Sequence, residues 1–312
     1  MSTVTQPITV ARSQTHSLFR DYLELIKMRV TSLIMMTAWS GYYFGALKSG
    51  VPSVSWTLLH AVLGIGMVSA GTAAMNEIME RDTDALMRRT AIRPLVTHSM
   101  GLVHALAVSL LLLIGGAVYL GLACNWLTSA LSLMTSLVYL LAYTPLKKIH
   151  PLCTFVGAFP GAMPGVLGWT AIRGRLEWEA FVLFSIMFIW QFPHFHSIAL
   201  LYREDYERAG IRMLPVVEQD GRSTARAIVL YGGALLPVTF APTLMGIAGL
   251  WYLVGAAVLG LALYFFCVRV WREALPVSSP KAKVLARHLL QATVIYLPLL
   301  FALMMLDARR TF

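Results

Sequence analysis

The sequence predicts an all-α, polytopic membrane protein with about nine transmembrane helices. Hydrophobic residues make up 58% of its 312 residues and charged residues only 13%, a composition typical of chains that cross the bilayer several times. The mean hydropathy is +0.69, and several apolar runs reach about 20 residues, the length of a membrane-spanning helix. These observations exclude a soluble globular domain.

Nine apolar runs account for the predicted spans, and a polar segment precedes them. The spans are residues 22–47, 55–78, 101–121, 123–143, 152–172, 178–201, 226–246, 249–270 and 287–306. Residues 1–18 are polar and rich in Ser and Thr, so we expect a disordered tail. The tail lacks the apolar core of a cleaved signal peptide, and the first span is expected to direct insertion. Residues 19–312 are then one transmembrane domain.

Basic residues are distributed unevenly between the two sides of the predicted bundle. With the N-terminus inside, 20 of the 25 Lys and Arg residues fall in inner segments, as the positive-inside rule requires. This predicts an odd number of spans and a cytoplasmic N-terminus. The net charge of +10 therefore marks one side of a membrane and indicates no nucleic-acid partner. The outer basic residues are Lys48, Arg173, Arg175, Arg309 and Arg310.

The first span carries two basic residues near its inner end. Lys27 and Arg29 are expected to extend their charged groups back to the interface, as long basic side chains commonly do. This reading gives neither residue a role in binding.

The second span ends in the densest charge of the chain, at residues 74–95. If its helix continues through this stretch, Asn76, Glu80 and Asp84 fall on one side, about 6 Å apart along the axis at each step. Carboxylate and amide oxygens suit Mg²⁺, which is commonly held by one or two carboxylates together with substrate phosphates. We call these three residues the acidic ladder.

Basic residues follow the acidic ladder and suggest a diphosphate site. Arg88, Arg89 and Arg93 carry guanidinium groups, which form bidentate, charge-assisted hydrogen bonds with phosphates. The alternative is a solvated loop in which the acidic and basic side chains pair with one another.

The middle of the chain contains two unusual spans. The fifth, TFVGAFPGAMPGVLGW, is interrupted by Gly and Pro, so we expect it to line the interior, where backbone groups freed by Pro can be covered. The sixth carries His194 and His196, which point in different directions along a helix and so are not expected to bind one metal. One of them remains a candidate substrate contact.

A second charged segment, LYREDYERAGIRMLPVVEQDG, follows the sixth span. The predicted topology places it on the same face as the acidic ladder. It contains Arg203 and Asp205 but lacks the four-residue spacing, so it is weak evidence for an internal duplication.

The motif NEIMERDTDALMRRTAIRP resembles the Asn-x-x-x-acid-x-x-x-Asp motif of the UbiA-type intramembrane prenyltransferases, with Glu80 where most members have Asp. The segments YTPLKK, GAMPGVLGW, WQFPHF and DYERAGIRMLPVV are similar to the branch of that family that farnesylates protoheme IX. Met28 stands where that branch usually has Pro, and His196 replaces a more usual aromatic residue.

The resemblance implies a helical bundle around a central cavity that binds farnesyl diphosphate through Mg²⁺. It implies transfer of the farnesyl group to a vinyl group of heme b, with addition of water, to give heme O. A bacterial inner membrane and a downstream heme A synthase are the implied setting and partner. The residues implied to hold the metal and diphosphate are Asn76, Glu80, Asp84 and Asp205, and those implied to neutralise the diphosphate are Arg88, Arg89, Arg93, Lys147, Lys148 and Arg203.

Several assignments keep alternatives at this stage. His194 is hypothesised to contact the heme iron or a propionate, and a buried structural histidine is the alternative. Lys147 and Lys148 follow aromatic residues, a pattern that also anchors helices at interfaces. For the whole protein, the alternatives are a related prenyltransferase with another aromatic acceptor, such as a quinone precursor, a cation transporter, and a non-catalytic assembly factor.

Overall fold

The computed structural model describes residues 17–218, 220–273, 276 and 279–308, and within these ranges the chain is helical apart from turns and one isolated β-bridge. The predicted tail at residues 1–18 therefore lies almost entirely outside the described residues. Arg309 and Arg310 of the outer basic set also lie outside them. The all-α prediction is confirmed.

Fourteen α-helices and one π-helix are present in the described part of the chain. The α-helices are α1 Leu18–Leu25, α2 Met28–Ser49, α3 Trp56–Asp84, α4 Leu102–Ala123, α5 Trp126–Leu137, α6 Thr144–Leu146, α7 Cys153–Arg173, α8 Trp178–Leu201, α9 Arg203–Arg208, α10 Leu214–Val217, α11 Arg222–Val238, α12 Ala241–Leu244, α13 Leu250–Glu273 and α14 Pro280–Leu306. The π-helix, Val138–Tyr143, joins α5 to α6.

Eight helical segments of the described chain are long and apolar enough to cross a membrane. A further helix, α2, has 22 residues, which also gives it the length of a span. The prediction of a multi-span protein with about nine helices is thus consistent with the structure.

The predicted first span, residues 22–47, is wrong in one respect. The helix breaks at Lys27, whose φ of 47° is left-handed, so that α1 ends at Leu25 and α2 begins at Met28. A left-handed non-glycine residue costs free energy, and the contact that Lys27 makes, described below, accounts for the break.

Helices α2 and α7 pack with their backbones in contact. A Cβ atom added to Gly41 would lie 1.8 Å from the carbonyl oxygen of Gly165, and one added to Gly168 would lie 1.7 Å from that of Ala38. Small residues allow this close approach, which drives helix association in lipid. The contact fixes α7 beside α2, and both helices contribute to the wall of the cavity described next.

Candidate functional site

A cavity of about 340 Å³ lies between α2, α3, α5 and α7. Apolar side chains such as Ile34, Ile65 and Leu167 make up much of its wall. The Gly and Pro residues of α7 also line it, which confirms that this span faces the interior. Lys27, Tyr139 and Tyr143 also contribute to the lining, and all three lie close to the acidic ladder in the fold. The cavity thus joins an apolar chamber to a charged region.

The acidic ladder forms as predicted, on the last three turns of α3. Asn76 is 1% exposed, Glu80 is 4% exposed and Asp84 is 1% exposed. The alternative of a solvated loop is wrong as to solvation, because the protein buries these side chains on a helix, although Asp84 does pair with Arg93 of the same stretch. Burying charged groups is unfavourable unless other groups compensate them, so their partners decide what the site can bind.

Each residue of the acidic ladder has a basic partner from a different part of the chain. Lys27 Nζ donates a hydrogen bond to Asn76 Oδ1 at 2.6 Å. Lys147 Nζ forms an ion pair with Glu80 Oε1, and Arg93 Nη1 donates to Asp84 Oδ2. The expectation that Lys27 extends back to the interface is wrong, because its ammonium group instead turns toward the ladder.

The π-helix places three further side chains at the site. A π-helical turn shifts the direction of the side chains that follow it, and such turns occur frequently at functional sites. Here Tyr139 and Tyr143 line the cavity, with their ring centroids 5.1 Å apart. Thr144 Oγ1 accepts a hydrogen bond from Asn76 Nδ2 at 3.1 Å. Lys147 Nζ lies 5.5 Å from the centroid of the Tyr143 ring.

Four buried carboxylate oxygens at or beside the ladder have no hydrogen bond from the described residues. They are Asp84 Oδ1, both oxygens of Glu77, a side chain with no solvent exposure, and Glu80 Oε1, which has only its ion pair with Lys147. A buried polar atom without a partner costs about 1–3 kcal/mol, and more when it is charged. A bound cation would supply the missing partner.

The described residues include no group of three or more His, Cys, Asp or Glu side chains placed to hold a metal by themselves. Mg²⁺ does not need such a cage, because it usually keeps several waters and is held by one or two carboxylates with substrate phosphates. Glu80 and the unpartnered oxygen of Asp84 fit a site of that kind, which a diphosphate would complete.

The second charged segment packs against the loop that follows the ladder. Arg89 Nη2 donates to Tyr206 Oη at 3.3 Å, and Arg208 Nη1 lies 3.5 Å from the carbonyl oxygen of Leu86. Burial raises the pKa of Tyr206, so its phenol remains neutral at physiological pH. These contacts confirm that both charged segments lie on one face of the bundle, which we call the ladder face.

Within the second segment, the predicted site residues make local contacts. Asp205 is 9% exposed and pairs with Arg208 at 3.3 Å. Arg203 Nε donates to the carbonyl oxygen of Pro215 at 2.8 Å. In the part of the chain that the structure describes, neither residue forms a hydrogen bond or ion pair with the acidic ladder, and their assignments to metal and diphosphate remain predictions.

Three other predicted diphosphate residues lie at the periphery. Arg88, Arg89 and Lys148 are exposed, and the Arg89 guanidinium carbon lies 5.4 Å from the centroid of the Tyr202 ring. The structure brings Arg93 and Lys147 to the ladder and leaves these three at the surface of the ladder face.

His194 lies against α14. Its Nδ1 is 2.9 Å from Thr293 Oγ1, and its ring stacks on Trp190 with centroids 4.6 Å apart. Of this part of α8, Phe195 is the residue that lines the cavity. These contacts favour the structural alternative for His194, and the predicted heme contact remains untested.

Sequence reasoning missed Lys27, Glu77 and Thr144 as site residues. A charged residue within an apolar run is a signal of function in a membrane protein, and Lys27 carried that signal. Glu77 stands next to Asn76 but off the four-residue spacing. Thr144 belongs to the motif YTPLKK, but its contact with Asn76 could not be foreseen, because its position depends on the π-helix.

Known proteins with similar sequences identify the family of the chain. Residues 33–306 match the family described as the UbiA prenyltransferase family. The chain is 67% identical over 307 residues to a protoheme IX farnesyltransferase of Koribacter versatilis (strain Ellin345), covering 98% of the chain and 99% of the relative. It is 47% identical over 298 residues to a protein of the same name from Solibacter usitatus (strain Ellin6076), covering 92% of the chain and 98% of the relative.

Solved structures share the fold at low sequence identity. A digeranylgeranylglyceryl phosphate synthase superposes with a TM-score of 0.75 at 19% identity, covering 93% of this chain and 98% of the other. A UbiA homolog from Archaeoglobus fulgidus bound to GPP and Mg²⁺ superposes with a TM-score of 0.61 at 18% identity, covering 91% and 99%.

Proposed function

Since the chain belongs to the UbiA prenyltransferase family, we propose that it transfers the farnesyl group of farnesyl diphosphate to a vinyl group of protoheme IX, heme b. Addition of water completes the product, heme O, and diphosphate is released. The observation that carries this proposal is the buried acidic ladder beside an apolar cavity, which suits a substrate with a charged head and a hydrocarbon chain.

The choice of acceptor is supported by the relatives. The protein that is 67% identical over almost the full chain is a protoheme IX farnesyltransferase. The motifs WQFPHF and AGIRMLPVV resemble the same branch of the family. A related prenyltransferase that uses a phenolic acceptor is the alternative, and the experiment below separates the two.

The diphosphate head would bind at the acidic ladder. When bound there, Mg²⁺ would neutralise charge on the diphosphate and stabilise the departing oxygen. Asn76, Glu80 and Asp84 supply oxygens for it, as would Asp205 from the second segment. The Archaeoglobus fulgidus homolog bound to GPP and Mg²⁺ supports this assignment.

The basic partners of the ladder explain how the site is prepared for this substrate. Lys27, Lys147 and Arg93 compensate the ladder before substrate arrives. With a cation bound at the ladder, Lys27, Lys147 and Arg93 would be free to donate to the phosphate oxygens. Positive groups already aimed at the leaving diphosphate lower the barrier to breaking the allylic C–O bond. Arg88, Arg89, Lys148 and Arg203 would attract the diphosphate from the surface.

The cavity would hold the farnesyl chain. Its largely apolar wall favours burial of hydrocarbon and limits access of water to the allylic cation. Tyr139 and Tyr143 line the cavity close to the charged region, where a cation formed at the first carbon of the chain would lie.

We also propose the setting of the reaction. The 20 inner basic residues favour a cytoplasmic N-terminus, which supports the proposal that the ladder face lies on the cytoplasmic side. A multi-pass protein of the bacterial inner membrane would take its diphosphate substrate from that side. The product heme O would be a substrate for a heme A synthase, the downstream partner. Residues 19–312 act as one catalytic domain in this proposal.

A transfer assay with purified full-length protein in detergent tests the function. Heme b, farnesyl diphosphate and Mg²⁺ are supplied, and products are identified by mass. Farnesylated, hydrated heme from the wild type, lost in Glu80→Gln and on removal of Mg²⁺, is the expected result. Asp82→Asn is the matched control, because Asp82 lies on the same helix with its side chain 90% exposed.

Two results would contradict the proposal. If folded wild-type protein farnesylates a phenolic acid and leaves heme b unchanged, the assignment of heme as acceptor fails. If it transfers no prenyl group to either acceptor but moves cations across proteoliposome membranes, the transferase assignment itself fails.

A further inference from the structure

One wall of the cavity carries a row of buried hydroxyl groups. Thr72 of α3 and Ser132 and Ser136 of α5 all line the cavity and are 9%, 2% and 4% exposed. Elsewhere the wall is largely apolar. An apolar cavity stays dry, and an ordered water needs polar partners. Other Ser, Thr and Tyr side chains also line the cavity, but Thr72 and Ser136 are hydrogen-bonded to each other and so offer one water molecule two adjacent oxygens.

The hydrogen bonds of this row leave only acceptors facing the cavity. Each hydroxyl has one hydrogen to donate. Ser136 donates to the carbonyl of Ser132 at 3.0 Å, and Ser132 donates to the carbonyl of Thr128 at 2.8 Å. The single hydroxyl hydrogen of Thr72 has two possible acceptors, the carbonyl oxygen of Val68 and Ser136 Oγ, and each lies 2.7 Å from Thr72 Oγ1. The unused lone pairs can accept hydrogen bonds, but no hydrogen remains to donate.

Thr72 continues the acidic ladder into the cavity. It lies four residues before Asn76 on α3, which is one helical turn, or about 6 Å, farther from the diphosphate site. In the proposed function the reacting carbon is bonded directly to a diphosphate oxygen. A diphosphate held by Asn76, Glu80 and Asp84 therefore leaves that carbon on the Thr72 side of the ladder, and the vinyl carbon that the water attacks lies two bonds from it.

We propose that Thr72 and Ser136 bind the water molecule that supplies the hydroxyl oxygen of the product, an inference that rests on the proposed function. Two acceptors turn the hydrogens of the water toward the wall. The lone pair of the water oxygen then points into the cavity, toward the electrophile. Thr72 and Ser136 are thus positioning residues, which act through the water.

The bonds, electrons and proton of the reaction are all accounted for by its two substrates and the water molecule. The allylic C–O bond breaks, and its electron pair leaves with the diphosphate. The π electrons of the heme vinyl group form the new C–C bond, which leaves a positive charge on the vinyl carbon next to the ring. The water oxygen forms a bond to that carbon, and the released proton goes to the departed diphosphate. Without a bound water, the same cation instead loses a proton from the new CH₂ group and gives an alkene.

The experiment measures the ratio of the two products. Wild-type protein and the variants Thr72→Val and Ser136→Ala are supplied with heme b, farnesyl diphosphate and Mg²⁺. Hydrated product and the alkene, lighter by one water, are then quantified by mass. Loss of one hydrogen bond to the water is expected to raise the alkene-to-alcohol ratio about fivefold to tenfold in each variant. Thr72→Ser, which keeps the hydroxyl, is expected to restore the wild-type ratio.

Ser109→Ala is the matched control. Ser109 is a fully buried serine of α4 that donates to the carbonyl of Leu106 at 2.9 Å, and it is not among the residues that line the cavity. Its replacement is expected to leave the product ratio unchanged.

The outcomes separate the two proposals. An unchanged product ratio in Thr72→Val and Ser136→Ala, even with slower turnover, overturns the water site and leaves farnesyl transfer intact. Wild-type protein that makes no farnesylated heme overturns the proposed function, and this inference falls with it.

Discussion

Two ionic clusters lie at opposite ends of the bundle, and they differ in how completely the protein satisfies its carboxylates. Glu177, between α7 and α8, accepts hydrogen bonds from Trp169 Nε1 at 3.0 Å, from Arg173 Nε at 2.7 Å and from Arg175 Nε at 3.1 Å. At the ladder face, three oxygens of Asp84 and Glu77 accept no hydrogen bond from the described residues.

The difference distinguishes a structural site from a binding site. The Glu177 cluster ties α2 to the α7–α8 connection, since Arg173 Nη1 also donates to Ser49 Oγ at 2.9 Å. It is complete without a ligand. The carboxylate oxygens at the ladder have too few hydrogen-bond donors, and a bound cation would neutralise them. We therefore expect changes at Glu177 to affect stability and changes at the ladder to affect activity.

The largest expected effect comes from Asp84→Asn. The substitution keeps the size of the side chain but removes the charge of a metal ligand in the proposed site. We expect kcat/KM for farnesyl transfer to fall by about 100-fold to 1,000-fold, the usual loss for an electrostatic contact to the transition state. The variant loses the ion pair with Arg93 but no longer buries a charged oxygen without a partner, and because these effects oppose each other we expect the melting temperature to stay within about 3 °C of the wild type.

A large loss of stability in Asp84→Asn, with normal activity per folded molecule, would remove the distinction between the two clusters. Asp82→Asn, on the exposed side of the same helix, controls for the change in charge.

Glu177→Gln should give the opposite result. The variant loses charge-assisted bonds from Arg173 and leaves that guanidinium without its carboxylate. We expect the free energy of unfolding to fall by about 2–3 kcal/mol, measured by thermal or denaturant unfolding in detergent. Activity per folded molecule should be unchanged, because the residue lies at the far end of the bundle from the ladder.

The pH dependence of the melting temperature gives a second test of the structural role of Glu177. The hydrogen bond from Arg173 lowers the pKa of Glu177 to about 2. A carboxyl group whose pKa is lowered by folding stabilises the protein above its ordinary pKa and loses that contribution as the pH falls toward the lowered value. The melting temperature of the wild type should therefore fall between pH 4 and pH 2 more steeply than that of Glu177→Gln. Parallel curves would contradict the assignment.

A smaller effect is expected from Lys27→Met. Lys27 compensates Asn76 in the free protein and would donate to a phosphate oxygen in the complex. We expect the KM for farnesyl diphosphate to rise about tenfold, as for loss of one charge-assisted hydrogen bond. Arg29→Met is the matched control, because Arg29 is exposed two residues away. Equal effects in the two variants would mean that general surface charge, and not the ladder contact, attracts the substrate.

The smallest effect is expected from Glu204→Gln. Glu204 pairs with Lys283 at 2.7 Å, but its side chain is 69% exposed. Exposed ion pairs contribute little, so the free energy of unfolding should change by less than about 1 kcal/mol. A loss as large as that of Glu177→Gln would contradict this expectation, because it would show that an exposed ion pair can stabilise the protein as much as a buried one.

The sequence was sufficient to predict the class of fold and the center of the site. Apolar run length predicted the spans, and the four-residue spacing of Asn76, Glu80 and Asp84 predicted their common face, because both depend on local helix geometry. The positions of Lys27 and Thr144 could not be predicted in this way. Lys27 itself has a left-handed backbone conformation, which turns it toward the ladder. Thr144 contacts Asn76 because the preceding π-helix changes the direction of its side chain. Both depend on contacts between segments far apart in the chain.

The neighbours of His194 could not be predicted from the sequence either. The sequence placed it within the segment WQFPHF but could not show which neighbour its ring would face. Packing against Thr293 and Trp190 decided that question.

The backbone contact between α2 and α7 also has a consequence for the order in which the protein is assembled. Gly41 and Gly165 come from helices that end and begin at residues 49 and 153, so three other spans are synthesised between them. Until α7 enters the membrane, the face of α2 that carries Gly41 is covered by lipid. One wall of the cavity is missing during that time. Substrate binding therefore has to wait until translation has passed the fifth span, and chains truncated before α7 should insert in the membrane without forming the cavity.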